Sequence, residues 1–61
     1  SDGINVTENE KLVKVILEKL NNTDAETKTK VMEFAKSNGI SLRDVKITPT
    51  EHYQKLLAQF N

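Results

Sequence analysis

Cysteine is absent from the 61 residues, which excludes disulfide bonds and thiolate metal ligands. Its absence favours a reducing, intracellular setting, which we take as cytoplasmic, or a bacterial or viral source. No apolar run approaches the roughly 20 residues of a membrane-spanning helix, so no membrane interaction is expected. The two glycines, Gly3 and Gly39, are too far apart to form a Gly-rich phosphate-binding loop.

Side chains that support catalysis are also scarce. His52 is the single histidine, and its helical position predicts a solvated side chain beside the apolar stripe. A transition metal would therefore have to bind carboxylates alone. A chain this short also has little material for a pocket of the ~300 Å³ or more that ligands occupy. We predict no enzymatic activity, no cofactor, no metal site and no small-molecule substrate.

Length and composition indicate one small folded domain. Apolar residues make up 36% of the chain, which is ordinary for a globular protein. A core of this size is marginal, so stability must come from good local structure or from a partner. We expect a flexible N-terminal segment at residues 1–6 and a single helical domain at residues 7–61.

Three helix starts have the same pattern, a threonine followed three residues later by a glutamate. Such a capping box satisfies two backbone N–H groups at the beginning of a helix. The threonines are Thr7, Thr23 and Thr48. Pro49, directly after the third threonine, suits the first position of a helix. The sequence therefore predicts helices at about residues 8–21, 24–38 and 49–60.

Each predicted helix carries an apolar stripe at helical spacing. The first stripe consists of Leu12, Val13, Ile16, Leu17 and Leu20. The second consists of Thr27, Val31, Phe34, Ala35 and Asn38. The third consists of Tyr53, Leu56, Leu57 and Phe60. We expect the three stripes to close around Leu20, Phe34, Leu56 and Phe60.

The segment after the second helix turns sharply at Gly39, which suits the left-handed position that ends a helix, with Ile40 as its apolar contact. Residues 41–45 predict a short helical turn. Residues 46–48 are expected to be extended, since they precede a proline. No strand is predicted. The fold class is all-α, a small three-helix bundle with an additional short helical turn.

Two apolar residues lie outside the predicted stripes. Val15 is separated from the first stripe, and Met32 lies beside Lys28 and Lys36. They either pack at the edges of the core or contact a partner. Because a domain this small often gains burial by association, our leading hypothesis is a non-enzymatic interaction module that binds a protein partner or self-associates. These four residues are its candidate contacts.

Charge is neutral overall but unevenly distributed. Residues 1–27 contain three lysines against six acids, whereas residues 28–46 contain five basic residues against two acids. The simplest interpretation is a set of solvated surface charges. A second interpretation is an oligomer in which the acidic half of one copy meets the basic segment of another.

The segment around Gly39 resembles a helix-turn-helix element. The resemblance rests on Ala35, Gly39, Ile40 and Val45, at the spacing of that motif. It implies that residues 24–46 bind DNA, with the second helix in the major groove. This gives nucleic-acid binding as the alternative function. Its candidate residues are Lys28, Lys30, Lys36, Ser41, Arg43 and Lys46, and Asp44 would face the DNA as well.

A second resemblance concerns the entry into the third helix. Residues 47–50 lead into residues 53–57 much as the extended loop leads into a helix in modules of the LEM and SAP kind. Such modules bind DNA or a DNA-bridging protein. This resemblance therefore implies the same alternative function.

Overall fold

Three helices form the regular structure of the chain. The computed structural model describes residues 3–61, with helices α1 (Val6–Asn22), α2 (Ala25–Ser37) and α3 (Thr50–Ala58). No β-strand occurs between Gly3 and Asn61. The predicted all-α class with three main helices is confirmed.

The first two helices are capped by stronger residues than the predicted threonines. The side chain of Asn5 accepts a hydrogen bond from the Glu8 N–H at 3.0 Å, so α1 begins at Val6. Asp24 caps α2 and accepts from the Thr27 N–H at 3.3 Å. Hydrogen bonds from Thr27 lower the pKa of the Asp24 carboxyl, which favours its charged form beside the positive end of the helix.

All three predicted threonine caps are wrong. Thr7 lies inside α1, and Thr23 precedes the true cap of α2. Asparagine and aspartate cap more strongly than threonine, which explains both shifts. The Thr48 hydroxyl donates instead to the Asp44 carbonyl at 2.7 Å. Helix α3 therefore begins after Pro49 without a side-chain cap.

The chain before α1 is hydrogen-bonded to the start of α3. The Thr50 N–H donates to the Gly3 carbonyl at 3.2 Å, and the Thr50 hydroxyl oxygen accepts from the Asn5 N–H at 3.0 Å. Ser1 and Asp2 lie outside the described residues. The predicted flexibility of residues 1–6 stays a prediction, although α1 already begins within that segment.

Helix α2 ends in the predicted glycine corner. Gly39 has a φ of 64°, in the left-handed region. Its N–H donates to the Lys36 carbonyl at 3.3 Å, and the Ile40 N–H donates to the Ala35 carbonyl at 2.8 Å. This pair of bonds is the Schellman arrangement, and Ile40 supplies the buried apolar contact that commonly accompanies it.

Replacing Gly39 with alanine is expected to lower the free energy of unfolding by about 1 kcal/mol, because a Cβ disfavours this φ. A Cβ atom at this position meets nothing within 4 Å, so the cost lies in the backbone alone. Urea unfolding of the wild type, Gly39→Ala and Gly39→Asn measures the effect. Asparagine tolerates this conformation better and should fall between the two. An alanine variant as stable as the wild type would contradict the left-handed corner.

The loop between α2 and α3, residues 38–49, differs from its prediction. The predicted short turn at residues 41–45 is a single turn, in which the Asp44 N–H donates to the Ser41 carbonyl at 3.4 Å, and residues 46–48 are not extended. The N–H groups of Ile47 and Thr48 both donate to the Asp44 carbonyl, at 3.2 and 3.1 Å. The predicted extended segment is therefore wrong, and a second turn satisfies its backbone groups instead.

Two side chains from the helices hold this loop in place. The amide nitrogen of Asn9 donates to the carbonyls of Val45 and Thr48, at 2.9 and 2.8 Å. The hydroxyl of Tyr53 donates to the Ser41 carbonyl at 2.6 Å. Both side chains are fully buried. Because the loop has no regular structure of its own, these three bonds attach it to α1 and α3.

The core lies where α3 packs against α1 and α2. Its buried members are Ile16, Leu20, Val31, Ala35, Ile40, Tyr53 and Leu56. The predicted stripes supply all of them except Ile40, the predicted corner contact. Two expectations need correction: Leu17 is 47% exposed rather than part of the core, and the central aromatics Phe34 and Phe60 are only half-buried.

Candidate functional site

The described residues offer no metal-binding cluster. Within residues 3–61, no group of three or more histidine or carboxylate side chains comes together. His52 is half-buried near the start of α3. None of the helices in that part of the chain is long and apolar enough to cross a membrane. The features that remain are exposed apolar side chains and charges on the helix surfaces.

Five large apolar side chains are exposed, and they are distributed over the molecule: Ile4, Val15, Leu17, Met32 and Ile47. Single exposed apolar residues are normal on protein surfaces, so exposure alone does not identify a site. A site also needs a concave surface and groups that orient a ligand. Met32 lines a depression together with charged side chains.

Met32 lies in an open depression on α2. The volume of the depression is about 400 Å³. We call its lining the Met32 face, which consists of Lys28, Thr29, Met32, Glu33 and Lys36. All five residues belong to α2, at positions that share one side of a helix. The side chain of Met32 is 49% exposed at the centre of this face.

The two lysines of the Met32 face lie one helical turn on either side of the methionine. Neither Lys28 nor Lys36 has a carboxylate within 4.0 Å, since Lys55–Glu51 is the one ion pair among residues 3–61. Eight residues of helix place their Cα atoms about 12 Å apart. Glu33 adds a negative charge to the rim of the same depression. The face therefore presents an apolar centre, one anion and two cations that no carboxylate of residues 3–61 pairs with.

Val15, like Met32, has a lysine four residues before it and another four residues after it, but it does not line the depression beside it. It is 37% exposed on α1, with Lys11 and Lys19 one turn away on either side. The Lys19 ammonium, however, lies 6.0 Å from the centre of the Phe60 ring. The depression next to it, about 230 Å³, is lined by Lys19, Asn22, Thr23 and Phe60, and not by Val15. The structure does not place Val15 and Met32 in one depression.

The basic residues predicted to contact nucleic acid do not share one helix face. Lys30 projects about 160° around α2 from Lys28. Arg43 and Lys46 are exposed on the loop. The hydroxyl of Ser41 accepts a hydrogen bond from the Arg43 N–H at 3.2 Å, so it is used within the loop.

The helix-turn-helix resemblance does not extend to the structure. A recognition helix should follow Gly39. The residues that lie between Ser37 and Thr50 contain turns and no helix. The predicted helix-turn-helix-like element at residues 24–46 is therefore wrong as a structural prediction. Nucleic-acid binding as such stays a hypothesis, which depends on the basic residues and on the resemblance at residues 47–57.

Asn9 is a residue that the sequence reasoning missed. It is fully buried, and its side-chain oxygen has no hydrogen-bond partner in the described structure. A signal was present: Asn9 precedes Ile16 by seven residues, so both lie on nearly the same side of α1. A polar residue at this position of an apolar stripe predicts a buried amide that binds backbone groups.

Comparison of the chain with protein-family models, with curated proteins and with solved structures finds no match.

Proposed function

We propose that this chain is a non-enzymatic interaction module, and that the Met32 face contacts a protein partner or a second copy of the chain. The observation that supports the proposal most directly is Met32 itself, half-exposed at the centre of an open depression on α2. Methionine is flexible and adapts to irregular partner surfaces, so it is common at binding sites. Val15 remains a predicted contact on α1.

The energetic argument concerns the size of the domain. A chain of 61 residues buries a small core, and burial against a partner adds apolar area that the domain cannot bury alone. Met32 is already half-buried, so covering its exposed half contributes roughly 0.7–1.5 kcal/mol. Such a residue can act as the anchor of an interface, and the contacts around it supply the rest of the binding free energy.

Selection from a displayed library of helical peptides tests the proposal. We expect the library to yield peptides that bind the wild type and lose affinity for Met32→Asp by on the order of ten-fold or more. Leu17→Asp is the matched control, since Leu17 is about as exposed as Met32 but lies on α1 outside the Met32 face. Sedimentation of the same three proteins over a range of concentrations tests self-association.

Two results would contradict the proposal. One is a strict monomer for which no selected peptide distinguishes Met32→Asp from Leu17→Asp. The other is tight binding of duplex or single-stranded oligonucleotides at moderate salt, lost when Arg43 and Lys46 become alanine. The latter result would favour the nucleic-acid alternative, with a steep salt dependence as its signature.

A further inference from the structure

We infer that the Met32 face recognises an acidic amphipathic helix, in which one apolar residue is flanked by carboxylates one turn before and one turn after it. The inference rests on the proposed function and adds the chemistry of the partner. Its basis is the arrangement of Lys28, Met32 and Lys36 along a single helix.

Charge determines the type of partner. Lys28 and Lys36 are exposed and have no carboxylate of residues 3–61 within 4.0 Å. An ammonium group without a partner on its own chain can pair with a carboxylate from another. The apolar centre between the two lysines fits an apolar side chain. The complementary partner sequence therefore has an apolar residue with one acidic residue four positions before it and another four positions after it.

The spacing of the lysines favours a helix as the binding element. A partner helix that lies along α2 rises by the same amount per residue, so its carboxylates at i and i+8 are also about 12 Å apart. A β-strand can match this distance, but its backbone N–H and C=O groups need partners. The Met32 face offers side chains only, because the backbone groups of α2 are paired within the helix. A helix already satisfies its own backbone.

Glu33 distinguishes a partner helix from a uniformly anionic surface. Its carboxylate lies on the rim of the depression, between the two lysines in sequence. A lipid surface or a nucleic-acid backbone would bring further negative charge to Glu33. A partner helix has positions without acids, where a neutral or basic residue can lie opposite Glu33. Mixed charge on the rim thus fits a peptide better than phosphate groups.

A charge-swap titration with designed peptides tests the inference. Three helical peptides differ only at the two flanking positions, which are both Glu, both Gln or both Lys around a central Leu. Binding to the wild type is expected to follow the order Glu, then Gln, then Lys, with a change of about two- to five-fold for each charged pair lost. The preference should decrease at 1 M salt, where charges are screened within about 3 Å.

The reciprocal variant carries Lys28→Glu and Lys36→Glu. It should prefer the Lys peptide over the Glu peptide, which a loss of folding cannot produce. Lys28→Gln with Lys36→Gln provides a second variant in case the reversed charges disturb α2. It should lose the preference for the Glu peptide, because Glu33 is then the one charge left on the face. Met32→Asp should weaken all three by on the order of ten-fold or more.

The possible outcomes distinguish an error in the proposed partner from an error in the proposed function. Equal binding of the three peptides, with Met32→Asp still weakening each, overturns the acidic partner and leaves the interaction module in place. No binding of any designed peptide, together with no selected peptide that depends on Met32, overturns both. Binding of anionic phosphatidylglycerol vesicles or duplex DNA through Lys28 and Lys36, as strong as binding of the Glu peptide, overturns the choice of a helical partner.

Discussion

Replacing Ile16 with alanine is expected to lower the free energy of unfolding by roughly 3 kcal/mol, within the range for buried aliphatic side chains. Ile16 is fully buried in the core that α1 forms with α3. A domain of this length has a total stability of roughly 3–9 kcal/mol. The substitution therefore removes a large share of it, and the thermal unfolding midpoint should fall by roughly 12–24 °C.

The adjacent residue provides the control. Leu17→Ala removes a similar volume at a position that is almost half exposed, so we expect a change within about 0.5 kcal/mol. Urea unfolding followed by circular dichroism measures both variants, with similar m-values as the sign of an unchanged unfolding reaction. Equal destabilisation by the two substitutions would mean that Leu17 is buried too, as the width of the first stripe predicted.

That difference shows which part of the fold could be predicted from the sequence. Apolar spacing gave the number and approximate extent of the helices, because helical periodicity depends on local geometry. It could not determine how much of a stripe is covered. The stripe on α1 extends from Leu12 to Leu20, but α1 packs mainly against the short α3, which leaves Leu17 in contact with solvent.

Helix starts were predicted less well because several residues compete for the same role. Asn5 lies two residues before Thr7, and Asp24 lies one residue after Thr23. Each can accept the same kind of hydrogen bond, and the stronger acceptor is the cap. The Gly39 corner had no such competitor, since only glycine adopts a φ of 64° without strain. It was predicted correctly.

The candidate site combines predicted and unpredicted features. Helical spacing placed Met32 between Lys28 and Lys36, because positions four residues apart lie on one side of a helix. The depression around them was not predicted, since it depends on the conformations of long side chains on α2. The charge excess of residues 28–46 suggested one basic surface. In the structure these residues do not form one surface. Lys30 projects away from Lys28, and the loop residues Arg43 and Lys46 do not lie on a second helix.

Asn9→Ala is the most informative test of the loop. Its amide is the donor for the carbonyls of Val45 and Thr48, and alanine leaves both without that bond. A buried carbonyl that loses its donor costs about 1–3 kcal/mol. Removal of the unpaired side-chain oxygen of Asn9 offsets part of this loss. We expect the free energy of unfolding to decrease by roughly 2 kcal/mol.

Two further variants isolate the role of the amide. Asn22→Ala removes an exposed amide from the same helix, one that donates only to the Glu18 carbonyl, and should change stability by less than about 0.5 kcal/mol. Asn9→Asp keeps the shape but turns a carboxylate toward carbonyl oxygens, so it should be less stable than Asn9→Ala at neutral pH. Because burial raises the pKa of that carboxyl, stability should return in part toward about pH 4, where its proton restores one donor. Asn9 and Asn22 variants of equal stability would show that the loop does not depend on the buried amide.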